Sequence, residues 1–72
     1  MADKTLAEME RNSTEKIRAT LGEFRGKDRI DIRIYFEDDD GRWLPTKKGI
    51  NLAVEDWPRF KAFLREVDQG LK

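Results

Sequence analysis

The 72 residues contain no histidine and no cysteine, which excludes the general-base, thiolate and zinc chemistry built on those side chains. What remains able to act on a ligand is a set of cations interleaved with aromatic rings. Arg25 and Lys27 flank Gly26, Arg33 lies in an alternating run, and Lys47 and Lys48 stand directly before Gly49. Phe24, Tyr35, Phe36 and Trp43 fall among them, with Lys16 and Arg18 just upstream. Cations at intervals meet a string of phosphates, and exposed rings stack on unpaired bases at about 1–3 kcal/mol each without choosing a base. The pattern suits a single-stranded nucleic acid. The acidic run at Asp38, Asp39 and Asp40 does not make a metal site, because adjacent carboxylates diverge and "DDDG" lacks the ligand spacing of a calcium loop. No cofactor, no metal and no catalysis are expected.

Those residues need a surface to stand on, and periodicity supplies one. "KIRATL" puts Ile17, Ala19 and Leu21 on one face and Arg18 and Thr20 on the other, and "GEF" leads into a second strand. "RIDIRIYF" is the clearest strand, with Ile30, Ile32, Ile34 and Phe36 opposed to Arg29, Asp31, Arg33 and Tyr35. Gly26 marks a tight turn before it and "EDDDG" a turn after it. "RWLPT" and "KGINL" supply further extended chain, with Pro45 at an edge because it has no N–H to give a central ladder. Beyond Leu52 the period changes. Trp57, Phe60, Leu64, Val67 and Leu71, with Phe63 beside them, form the stripe of an amphipathic helix over about 55–69. Pro58 belongs in its first turn and Gly70 at its end. Residues 1–15 read as a tail, mobile or carrying a brief helix near Leu6 to Arg11, since Thr5 and Glu8 have capping-box spacing. Residues 16–72 then form the domain.

Size and charge limit what such a domain can do alone. With 72 residues and 42% charged side chains the core is thin, and a core in this range supplies only about 3–5 kcal/mol. Association with a second copy is the expected remedy. The formal charge is zero, yet Lys16 to Leu52 holds nine basic residues against seven acidic, four of the latter at Glu37, Asp38, Asp39 and Asp40. The remaining acids lie outside, at Asp3, Glu8, Glu10 and Glu15 and at Glu55, Asp56, Glu66 and Asp68. Local potential, not the total, acts on a ligand. No run approaches the ~20 apolar residues of a membrane span, and the N-terminus lacks a signal-peptide core. A soluble intracellular protein, cytoplasmic and nucleoid-associated in a bacterium, is expected, with no membrane partner.

From Phe24 to Lys61, "FRGKDRIDIRIYFEDDDGRWLPTKKGINLAVEDWPRFK" resembles the positive cofactor four family of transcriptional coactivators, which bind single-stranded DNA. The shared features come in order: an aromatic before basic-Gly-Lys, "DIR" with an aromatic pair, an acidic turn, "P" with "KKGI", and a tryptophan opening the last helix. The resemblance implies an α+β fold: a curved four-stranded antiparallel sheet, then one C-terminal helix, homodimeric through helices and sheets. It also implies single-stranded DNA as partner, with transcription or replication machinery around it, and a base-stacking aromatic at Phe36. The sequence departs from the family at Gly22, where a basic residue is usual, at Ile34, which replaces a charged residue, and at Trp43, where no aromatic is expected. No serine-rich regulatory tail of the eukaryotic kind is present, which fits a bacterial or viral member.

The expected DNA-binding residues are therefore Phe24, Arg25, Lys27, Arg33, Phe36, Lys47 and Lys48, with Lys16, Arg18, Tyr35 and Trp43 as secondary candidates. Trp57, Phe60, Phe63, Leu64 and Val67 are assigned to the core and the dimer contact. Each has a plainer alternative: the paired lysines as solvated charge, Arg33 as the ion-pair partner of Asp31, Phe36 as a core residue of the parity of Ile34. A dimeric protein-interaction module that binds no nucleic acid and an RNA-binding protein are the rival functions.

Overall fold

The computed structural model describes residues 3–72. Four antiparallel strands form one meander, β1 (Lys4–Glu10), β2 (Glu15–Phe24), β3 (Lys27–Glu37) and β4 (Trp43–Ala53), in the order β1-β2-β3-β4. A 3-10 turn over Val54–Asp56 leads into the helix α1 (Trp57–Gly70). This is the expected α+β arrangement, but the first strand comes from a different part of the chain.

Residues 4–10 are neither tail nor helix. They pair with β2 from Lys4↔Leu21 to Glu10↔Lys16. Their alternation is hidden in the sequence by an irregularity between Thr5 and Ala7, which leaves Leu6 out of step. The capping-box spacing of Thr5 and Glu8 is coincidental, because the Glu8 carboxylate bonds Arg18 on β2. "KIRATL" and "GEF", in turn, are one strand: Gly22 sits within it, paired to Arg29.

The turns follow their residue chemistry. Arg25 and Gly26 have φ of 53° and 79°, making a two-residue link between the paired Phe24 and Lys27. Asp38 Oδ1 accepts hydrogen bonds from the amides of Asp40 and Arg42, both at 2.9 Å, and Gly41 takes φ of 80°. Pro45 lies on the edge strand β4, as expected. The helix begins two residues later than its period suggests, with Pro58 in its first turn, and it runs through Gly70 to a cap at Leu71.

The sheet has two chemically distinct faces and almost no interior. Met9, Ile17, Ile34 and their neighbours Ala19, Ile32 and Ile50 occupy one face. Among the described residues only Ile30 is buried, at 7% exposure. The helix does not cover the isoleucine face: it projects beyond the 3-10 turn, its principal contact, and buries none of its own residues. The molecule is a slab of 39 × 38 × 18 Å. No described helix is long and apolar enough to cross a membrane.

Candidate nucleic-acid interface

On the face opposite the isoleucines, strand register brings cations and rings together. Lys16 pairs with Tyr35 and Arg18 with Arg33 across β2 and β3. The Arg18 guanidinium lies 4.2 Å from the Tyr35 ring centroid, and Lys16 Nζ lies 4.5 Å from that of Trp43. Two arginines directly opposed would repel. A carboxylate on each side relieves this. Glu8 of β1 bonds Arg18 and approaches Lys16 Nζ at 3.8 Å. Asp31 holds Arg33 through two bonds of 2.7 and 2.9 Å, and Arg33 Nη1 also donates to the Thr46 carbonyl at 2.8 Å. The hydrogen bonds from Arg33 keep the Asp31 carboxyl below the usual carboxylate range, against an opposing effect of burial. A depressed carboxylate contributes stability above its unfolded value, and that contribution is lost as pH falls through the lowered folded value.

Lys47 and Lys48 stand on a bulge of β4. Arg33 pairs with Gly49 and Tyr35 with Pro45, so Thr46, Lys47 and Lys48 together oppose the single residue Ile34. The Thr46 hydroxyl fixes this loop, donating to the Ile34 carbonyl at 2.7 Å and accepting from the Lys48 amide at 3.1 Å. Both lysines are exposed, Lys48 beside Ile17, Ile32 and Ile50 at the border of the isoleucine face, and among the described residues neither meets a carboxylate at ion-pair distance. Gly49 is required by close packing against β3. It has no positive φ, but a Cβ there would lie 2.5 Å from the Ile32 carbonyl oxygen and 2.8 Å from Arg33 Cα. The missing side chain lets β4 close onto β3 beside the bulge.

At the other end of the polar face, Phe24 is the last residue of β2 and is 63% exposed. The Arg25 guanidinium lies 5.1 Å from its ring centroid, and Lys27 is its cross-strand partner. Phe36 is placed apart from this group. It keeps the parity of Ile34, pairs with Glu15 and Leu44, and lies on the isoleucine face at the end of the sheet, 38% exposed. On the helix, Trp57, Phe60 and Phe63 form a file with successive centroids 5.6 Å apart. Trp57 and Phe60 are half-buried, whereas Phe63, Leu64 and Val67 are exposed.

Three residues of the polar face escape the sequence reading. Glu8 falls in the segment expected to be a tail. Arg29 and Asn51 have the right alternation, but only register shows that Arg29 Nε donates to Asn51 Oδ1 at 2.6 Å and Asn51 Nδ2 to Asp31 Oδ1 at 3.3 Å.

The sequence profile of the family described as Transcriptional Coactivator p15 (PC4) matches residues 11–63. The chain belongs to that family. It is 41% identical over 59 residues to the RNA polymerase II transcriptional coactivator KELP of Arabidopsis thaliana, covering 82% of this chain and 35% of the relative. A putative RNA polymerase II transcriptional coactivator of Caenorhabditis elegans is 36% identical over 52 residues, with 71% and 42% covered. The chain thus spans less than half the length of these two curated relatives. BPSL1147, a PC4 homolog from Burkholderia pseudomallei, superposes with a TM-score of 0.85 at 28% identity, covering 93% of this chain and 98% of that one. The bacteriophage T5 homolog of PC4 superposes with a TM-score of 0.70 at 26% identity, with 97% and 82% covered. Membership in a family of transcriptional coactivators supports a DNA-related role.

Proposed function

We propose that this chain is a non-enzymatic, homodimeric binder of single-stranded DNA with little sequence preference, acting in transcription regulation or in DNA replication or repair. The observation that carries the proposal is the polar face itself, where Lys16 over Trp43 and Arg18 over Tyr35 gather cations and rings on one surface. Phosphates and unstacked bases recur with the same alternation. Coactivation by the relatives, and the T5 homolog's implication in recombination-dependent DNA replication, favour both settings. The uncovered isoleucine face and the uncovered helix stripe favour a second copy as their cover. Fluorescence anisotropy with a short mixed-sequence oligonucleotide, its duplex and the matching RNA, at two salt concentrations, tests the proposal. Binding should be tightest to the DNA single strand and weaken with salt. An unbound oligonucleotide would leave a protein-interaction module, and a preference for the RNA strand would change the substrate.

Two side-chain predictions follow from the charges on and beside the polar face. Changing Lys47 and Lys48 together to Ala should weaken binding to all sequences alike, since phosphate contacts carry no base information. The slope of log affinity against log salt should flatten by about 0.7 for each phosphate no longer neutralised. An unchanged slope in an assembled variant would put both lysines in solvent. Glu8 acts in the opposite sense, because its carboxylate stands where a phosphate oxygen would meet Arg18 and Lys16. Glu8→Gln should tighten binding by about two- to fivefold at low salt, the scale of one exposed ion pair. Weaker binding in that variant would mean that Glu8 positions Arg18 for the ligand instead of competing with it.

A further inference from the structure

Beside the Arg18–Tyr35 pair the polar face sinks into an open depression of about 570 Å³, within the range of small-ligand sites. Phe24 and Tyr35 stand at its two ends, Thr20, Asp31 and Asn51 line its wall, and the carboxylates of Glu23 and of Asp3, the latter lying over Gly22, border it. The hydrogen bonds around it fix what that wall offers. Arg29 can only donate and the ionised Asp31 only accept, so the Asn51 amide is held with its oxygen on Arg29 and its nitrogen on Asp31. That leaves one N–H and one lone pair on Asn51, a pairing every base edge can meet in some pose. Asp31 breaks the tie. Its two oxygens take two bonds from Arg33 and one from Asn51, which leaves acceptor capacity and no donor. A carboxylate that only accepts favours a base carrying an exocyclic amino group over one presenting a carbonyl at the same place.

We propose that this depression receives one nucleobase of the bound strand, and that Asp31 with Asn51 biases it toward amino-bearing bases over thymine and uracil. The inference rests on the single-stranded DNA reading above and refines it: stacking and phosphate contacts set a broad affinity, and the wall grades it by composition. Oligo-deoxycytidine and oligo-deoxyuridine of equal length isolate the effect, because the two bases differ at ring position 4 and the adjacent ring nitrogen.

Anisotropy titrations of the full chain at mildly alkaline pH should show the cytidine strand binding about three- to tenfold tighter, the scale of one net hydrogen bond. Asp31→Asn keeps the shape but can turn a donor toward the base, so the ratio should fall to about one or reverse. Asn51→Ala, at an exposed position, should reduce it. Circular dichroism of both variants establishes that the sheet is retained. Equal affinities in the unaltered chain, or a ratio that survives Asp31→Asn in a folded protein, would overturn the inference while leaving single-stranded binding in place. Failure of both strands to bind would remove the underlying DNA reading and this refinement with it.

Discussion

Phe63→Glu should abolish assembly and, with it, most of the cooperative folding at micromolar concentration. A single copy buries only Ile30 among its described residues, too little apolar burial to offset the conformational entropy of ordering a chain of 72 residues. Phe63 stacks on Phe60, yet is 55% exposed on one copy, as expected of a residue whose cover comes from elsewhere. Burying such a ring contributes about 1.5–3 kcal/mol per copy, and a twofold assembly loses it twice. A carboxylate in its place adds a desolvation penalty. The unaltered chain should sediment as a dimer and melt at a temperature that rises with concentration. A folded unaltered monomer, or a Phe63→Glu variant that sediments and melts as the parent does, would show that the helix stripe is not the contact.

Phe24→Ala should cost about 1–3 kcal/mol in single-strand binding with the fold intact, the range for one base–aromatic stack. The ring is more exposed than most of its strand and ends β2 on the cationic face, so its removal leaves no cavity. Phe36→Ala provides the contrast. Its ring shares the isoleucine face and pairs across to Leu44, so the principal expected loss is thermal stability. Should Phe36→Ala instead lower affinity first, the bound strand must wrap round the end of the sheet to reach that face. Undiminished affinity in both variants would rule out stacking.

Much of this is legible in the sequence because alternation is a local signal. "RIDIRIYF" shows by itself that Arg33 and Tyr35 oppose the isoleucines, and the three-and-four spacing after Leu52 shows the helix. Gly26, between two alternating runs, marks the turn that joins them. What alternation cannot give is the neighbour across the ladder. Lys16 meets Tyr35 only because the two-residue turn at Arg25 and Gly26 sets the β2–β3 register. The stepped pairing of β4, with three residues against Ile34, depends on a hydroxyl bond from Thr46 that no period announces. The strand Lys4–Glu10 escapes the sequence for a related reason: the irregularity at Leu6 breaks its period, so its identity comes from the partner it pairs with. Thus the members of the cationic face are readable, Asp31 beside Arg33 among them, while Glu8, which joins them from β1, is settled only by pairing.

The slab shape has a consequence for how this chain can change. A protein with an interior has positions that answer to packing alone. Here, with a sheet one layer thick and its helix set aside, each strand residue answers to one of two outside clients according to whether its number is odd or even. The two sets can drift independently: a new ligand rewrites one, a new assembly partner the other, and neither rewriting disturbs the first. The vulnerable element is the phase that keeps them apart. One inserted or deleted residue within a strand exchanges the audiences, turning isoleucines to the nucleic acid and arginines to the partner. The Arg25-Gly26 turn and the Thr46 bond to Ile34 are the two places where that phase is locked, so insertions should be tolerated in the turn of residues 11–14 or at the acidic tip far better than within a strand.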